Sequence, residues 1–308
     1  MNNSLIKYDK SLIHINQFIQ SNLYNFTTFC KTILSFSNTI QNDDTVYIKV
    51  NYNDIVQELP FYSFFSSISD KKELYFIFFD SFIQTLDNLY IFHRNSMFFL
   101  AFNHDNLIFS KQFNKPYFFH FHNCFSLTSF EDFEKQLFSF VKHKDFDDLP
   151  LDLQIFKYFL ETTHYNYSHD DIVSSNPLQH IFKYNTFFIQ LFGKKSFYKH
   201  THEYIQKYYH NKSFHEVLTH LYKARFTIST QGVILVYAQL FWKIITVQHS
   251  KLLFFQDIMT FFSKSLIHFN NPYNTNITLL TSFLHNKFYH IKNPNELSLF
   301  IQNIQLLS

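Results

Sequence analysis

Glycine is nearly missing from this chain, with two residues in 308, Gly193 and Gly232, where average usage is about 7%. Alanine occurs three times (Ala101, Ala224, Ala238), arginine twice (Arg94, Arg225), cysteine twice (Cys30, Cys124) and tryptophan once (Trp242). Each shortage excludes something. The chain carries no glycine-rich phosphate loop, no glycine-flanked nucleophile and no metalloprotease motif, so an enzymatic role is not expected. Two cysteines exclude a disulfide framework. A net charge of +2 and a pI of about 8.3 exclude a global basic field. The longest apolar stretch, residues 232–247, is interrupted by Gln239, Lys243 and Thr246. It falls short of the ~18–20 residues that a membrane span needs, and no membrane insertion is expected. The first ten residues lack arginine and an apolar run, so no signal peptide or presequence is read there.

What is abundant is phenylalanine, with 44 residues, and tyrosine, with 20. Phe, Tyr, Asn, Ile and Lys have AT-rich codons, whereas Gly, Ala, Pro and most Arg codons are GC-rich. A genome under strong AT pressure, such as an organellar one, writes this composition whatever the product does. The apolar share of 46% argues for a folded core and against disorder. With so little glycine, positive-φ turns fall to Asn and Asp. The runs Asn42-Asp43-Asp44, Asn51-Tyr52-Asn53-Asp54 and Asn270-Asn271-Pro272 are read as such turns.

Periodicity predicts helix over residues 4–41, a strand at 45–50, and a strand-rich region over 73–123 with strands at 74–79, 89–93, 97–102, 107–109 and 117–122. Helices are predicted at 131–143 and 152–163. The polar segment 165–177, ending in Asn176-Pro177, reads as a linker. Beyond it a strand is predicted at 187–192, a long strand at 233–245 and a helical tail after residue 251.

Two constellations bear on chemistry. His120, His122 and Cys124 would share one strand face, and their types suit zinc. No second cluster supplies a fourth ligand and the spacing matches no standard zinc pattern, so a polar strand face is the preferred reading and no metal or other cofactor is expected. His200, His202 and His210 lie among Lys199, Tyr204, Lys207, Tyr208 and Tyr209. Lysine meets phosphate and tyrosine stacks on exposed bases, so this interleaving suits RNA.

Both glycines, two of the three alanines, one arginine and the only tryptophan fall within residues 187–243. Residues that are dear under AT pressure persist where backbone conformation or close approach demands them. The run Phe188-Ile189-Gln190-Leu191-Phe192-Gly193-Lys194 resembles the strand motif apolar-x-apolar-x-Gly-Arg of the C-terminal domain in the small-subunit ribosomal protein S3 family, with Lys194 in the Arg place. Thr230-Gln231-Gly232-Val233-Ile234-Leu235-Val236 resembles its T-x-G-V-I-G-V, with Leu235 where the second Gly would stand. Tyr222 falls at the family's Tyr, and the two glycines lie 39 residues apart. The resemblance covers under a fifth of the chain and is to a divergent mitochondrial, ciliate-like member.

It implies an α+β fold with an S3-like mixed sheet and flanking helices at 178–247, preceded by a divergent extension at 1–150 and a helix with linker at 151–177, and followed by a helical extension at 248–308. Gly193, Tyr222 and Gly232 would be structural. Lys183, Lys194, Lys195, Lys199, Lys207, Lys212, Lys223 and Arg225 would be the RNA-facing residues. The implied role is non-enzymatic: a constituent of the mitochondrial small ribosomal subunit in the matrix, in its head near mRNA entry. It would bind small-subunit rRNA, mRNA and neighbouring head proteins. The family's RNA-clamping G-x-x-G loop is missing from residues 1–186, so a separate chain carrying the N-terminal half is a further implied partner. A peripheral subunit of a respiratory-chain assembly is the alternative.

Overall fold

Ser213 opens the longest element of the protein. Its hydroxyl accepts the Glu216 N–H at 3.2 Å while the Glu216 carboxylate accepts the Ser213 N–H at 2.8 Å, a reciprocal capping box. From it runs a helix of 31 residues, Phe214–Ile244, about 46 Å long. The structure is a computed structural model that describes residues 58–112, 114–119, 123–126, 129–146, 149–245, 252–266, 276–288 and 294–307, together with the backbone of three strands nearer the N-terminus.

Those three strands are β1 (Ser4–Tyr8), β2 (Phe36–Asn42) and β3 (Thr45–Val50), an antiparallel sheet of order β1-β3-β2. Ser4 pairs with Val50 and Asn42 with Thr45. The strand predicted at 45–50 is present. The helix predicted over 4–41 is corrected at both of its ends, which are strands; the stretch between lies outside the described residues. So do the turn residues Asp43, Asp44, Asn51, Asn53, Asn270 and Asn271.

The rest is β4 (Glu58–Pro60), α1 (Phe61–Ser66), α2 (Lys71–Arg94), β5 (Met97–Phe99), a 3-10 turn at His104–Asn106, β6 (Leu107–Ser110), β7 (Lys115–Phe118) and β8 (Cys124–Ser126). Next come α3 (Phe130–Lys142), α4 (Leu151–Thr162), β9 (Ile172–Val173), α5 (Leu178–Tyr184), α6 (Thr186–Phe192), α7 (Lys194–Tyr208) and β10 (Lys212–Ser213). The central helix Phe214–Ile244 is α8, followed by α9 (Leu253–Leu266), α10 (Ile277–Phe288) and α11 (Pro294–Gln302). The sheets are small and antiparallel: β4-β6-β7, with Leu59 opposite Phe109 and Leu107 opposite Phe118; β5-β8, with Phe99 opposite Cys124; and β10-β9. The class is α+β.

Helix α8 packs against α2, α3, α4, α9 and β5, so it is wrapped on nearly all sides. Leu218, Leu221, Ile228, Val233, Ile234, Tyr237 and Phe241 are all buried and form no single stripe. Aromatic rings fill the space around it: Tyr237 stacks on Phe82 of α2 at 4.5 Å and meets Phe61 of α1 edge-on at 5.4 Å. The Tyr237 hydroxyl lies 2.9 Å from Thr85 Oγ1, and Ser229 Oγ accepts the Phe99 N–H at 3.0 Å, fixing β5 to α8. One hydrophobic cluster extends from Phe61 to Ile304.

Four predicted strands are helices. Residues 74–79 and 89–93 lie in α2, which starts where Asp70 Oδ1 accepts the Glu73 N–H at 2.7 Å. Residues 187–192 lie in α6 and 233–245 fall almost wholly in α8. The S3-like mixed sheet expected at 178–247 is therefore replaced by helices; β10 is the only strand among the described residues there. For 233–245 the physical reason is burial, since an enclosed helix reads as an unbroken apolar run that periodicity alone does not tell from a buried strand. In α2 and α6, aromatic and aliphatic residues such as Phe76, Tyr90, Ile91 and Phe187 occupy positions outside the core and hide the helical period.

Both rare glycines stand at constrained positions. Gly193 has φ +77°, the left-handed region that disfavours a side chain. Gly232 faces the backbone of Phe102, where a Cβ would meet Phe102 Cβ at 2.7 Å and its carbonyl oxygen at 3.2 Å.

Candidate nucleic-acid interface

Helix α7 is amphipathic. Phe197, Thr201, Tyr204 and Ile205 are buried, spaced as one face of a helix. Lys194, Lys195, Tyr198, Lys199, His200 and Lys207 are exposed around the rest of the helix, with Glu203 as its only acid. Tyr198 is 51% exposed, open enough for a base to stack on its ring. Glu203 meets Lys199 at 4.0 Å and His200 at 3.8 Å, surface pairs of small energetic weight.

The start of this helix is unusual in its charges. The Gly193 N–H closes α6 onto Ile189 O at 3.0 Å, and the Gly193 carbonyl accepts the Phe197 N–H at 3.0 Å, opening α7. No side chain caps α7, and its first turn holds Lys194 and Lys195 without an acid. Cations at a helix N-terminus oppose the macrodipole, so the pair does not serve helix stability. Unfilled N–H donors beside two ammonium groups suit an anion such as a phosphate.

A buried cluster holds α7 in place. The Tyr204 and Tyr209 hydroxyls both donate to Asp152 Oδ1 in the first turn of α4, the former at 2.6 Å. His220 Nε2 of α8 lies 3.5 Å from the same oxygen and 3.3 Å from the Tyr204 hydroxyl. Burial pushes the Asp152 carboxyl up, but the hydrogen bonds from His220, Tyr204 and Tyr209 outweigh it and hold it below the usual carboxylate range. Burial and the neighbouring carboxylate push both tyrosines well above their ordinary value, so they act as donors. Tyr208 stacks on His220 at 4.9 Å, and Lys207 lies over the Tyr208 ring at 4.8 Å.

The structure groups some of the sequence-predicted residues and disperses others. Lys194, Lys195, Lys199 and Lys207 share α7. Lys183 is exposed on α5 over the Tyr184 ring at 5.0 Å, while its neighbour Phe182 packs on Phe197 and Tyr198 at 5.3 Å each. Lys223 is exposed on α8, one turn beyond His220. Lys212 pairs with Glu216 at 3.4 Å. Arg225 is half-buried over the rings of Tyr222 and Phe226, at 4.0 and 4.4 Å, and donates to the Tyr222 carbonyl. Burial lowers its pKa, and its fork is taken up within its own helix. Tyr222 packs on Phe130 and Phe133.

His120 and His122 lie outside the described residues. Cys124 is buried in β8, where burial pushes its thiol up. No group of three metal-ligating side chains occurs among the described residues. Sequence reasoning missed Asp152 altogether: an aspartate in the first turn of a helix reads as a solvated charge, and nothing in its spacing points to tyrosines 52 and 57 residues away. Comparison with family models, with curated proteins and with solved structures finds no match. No described helix is long and apolar enough to cross a membrane.

Proposed function

We propose that the protein is a non-catalytic RNA-binding constituent of a ribonucleoprotein, and that this assembly is the small ribosomal subunit of mitochondria. The observation that carries the reading is the exposed surface of α7: an uncapped N-terminus with Lys194 and Lys195 in its first turn, followed by exposed Tyr198, Lys199 and Lys207. Phosphates are met by the ammonium groups and the helix N-terminus, and an unpaired base by the Tyr198 ring. The AT-coded composition supports an organellar gene. Kinship with the S3 family is not carried forward, because the two strands it implies are the helices α6 and α8.

The test is binding of the full chain to single-stranded RNA over a salt series. Affinity should fall linearly on a log–log scale, and Lys194, Lys195, Lys199 and Lys207 changed together to Gln should flatten the slope. A slope unchanged by the four substitutions would remove α7 from the interface. Co-sedimentation with a respiratory-chain assembly in place of ribosomal RNA would favour the alternative.

A further inference from the structure

Behind α7 lies a cavity of about 250 Å³. Its walls come from α8 (Gln231, Gly232, Leu235, Val236, Gln239), from the start of α4 (Leu151, Asp152), from Phe188 and Tyr204, and from the turn that follows β5. The close approach of Gly232 to Phe102 joins two of these walls. Helix α8 is otherwise buried on every side along this stretch. Its half-buried residues here, Gln231, Leu235 and Gln239, follow each other at intervals of four and face the opening. Neither glutamine side chain has a hydrogen-bond partner among the described residues.

Asp152 sits in this wall with only 5% of its surface exposed. All its hydrogen bonds, from Tyr204 and Tyr209, and the approach of His220, are made to Oδ1. Among the described residues Oδ2 accepts none. No lysine or arginine lines the cavity; Asp105 and His104 there lie 3.4 Å from each other. A donor that enters the cavity meets this carboxylate.

We propose that this cavity binds a small molecule with an ammonium head group on a short apolar body, the ammonium donating to Asp152 Oδ2. Leu149, Phe188, Leu235 and Leu266 receive the apolar body, and Gln231 and Gln239 meet any polar group at its far end. Scaled from a cavity of about 150 Å³ that accepts benzene, the space takes roughly ten non-hydrogen atoms. A phenethylammonium ion is of this size. An anion is rejected by Asp152 itself.

The test uses the full chain and phenethylamine hydrochloride as the probe, with 3-phenylpropionate and 2-phenylethanol as matched anionic and neutral probes. Titration calorimetry and thermal shift are read for each. Saturable binding of the amine, weaker binding of the alcohol and none of the acid is the expected order. Asp152→Asn keeps an Oδ1 acceptor for the tyrosines but turns the free oxygen into a donor. It should weaken amine binding by roughly tenfold or more, the loss of a charge-assisted hydrogen bond. Leu235→Trp fills the space from α8 without touching the carboxylate and should abolish binding of amine and alcohol alike. If Asp152→Asn does not fold, the order of the three probes on the wild type and the Leu235→Trp variant still decide. Absence of saturable amine binding, equal binding of the acid, or undiminished binding by Leu235→Trp would overturn the proposal.

Discussion

Gly232 and Phe102 approach so closely that a single added carbon would collide: a Cβ at position 232 would stand 2.7 Å from Phe102 Cβ and 3.3 Å from its Cα. In an open helix Gly→Ala gains about 1 kcal/mol of propensity. Here Gly232→Ala should instead destabilise, by roughly 2 kcal/mol, because the obstacle includes backbone and the packed core around it does not yield. Urea denaturation with an unchanged slope and a lower midpoint is the expected result.

Gly193 makes the complementary case. Nothing lies within 4 Å of its would-be Cβ, yet its φ is +77°. Gly193→Ala should cost about 1 kcal/mol through backbone strain alone. Gly193→Asn should cost about as much, since ψ at 138° lies outside the αL well that Asn tolerates. No loss of stability in either variant would mean that conformation is not what the site demands.

His93 predicts an acid-sensitive step. Burial, and then the Arg225 charge, lower its pKa to about 3 from the ordinary 6.5. Its Nε2 is enclosed without a partner while its ring lies 4.8 Å from Phe226. The folded-state pKa is below the unfolded one, so the neutral ring favours folding above pH 6.5. That contribution is lost as pH falls from about 6.5 towards 3. Stability should decline there by about 1.4 kcal/mol per pH unit from this group. His93→Leu should flatten the decline between pH 6 and 5, as read from denaturation midpoints at each pH.

The Asp152 cluster should be stiff against deletion. Asp152→Ala leaves two buried tyrosine hydroxyls without their acceptor and opens a void, at a cost of roughly 3 kcal/mol. Tyr209→Phe removes one donor of three and should cost about 1 kcal/mol. Faster hydrogen exchange in α7 than in α2 for the Asp152 variant is the accompanying signature, because the cluster is what fastens α7 to α4 and α8.

How much of this was legible in the sequence depends on where each segment sits. Helix α3 shows a polar face, and both α3 and α4 were read within a residue of their observed bounds. The short strands β5, β6 and β7 lie inside predicted strands or overlap them, bounded by turn residues. Helix α8 was misread because burial erases amphipathicity, and α2 because Phe76, Tyr90 and Ile91 stand on its exposed side, although Asp70 with Glu73 and Ser213 with Glu216 marked their starts. Capping chemistry outranks periodicity for enclosed helices. The α7 lysines were readable as a basic and aromatic group, since they are local in sequence. Arg225 was not separable from them, because its partners Tyr222 and Phe226 reveal themselves only once the helix is built. The Asp152 site joins three helices and leaves no local trace.

Ultraviolet crosslinking of the chain within mitochondrial ribonucleoprotein, sedimented and then mapped by peptide, tests the central claim most directly. The protein should travel with small-subunit RNA, and the crosslinked peptide should be the one from α7 containing Tyr198 and Lys199. A chain that sediments apart from that RNA, or crosslinks confined to other elements with α7 unmodified, would contradict it.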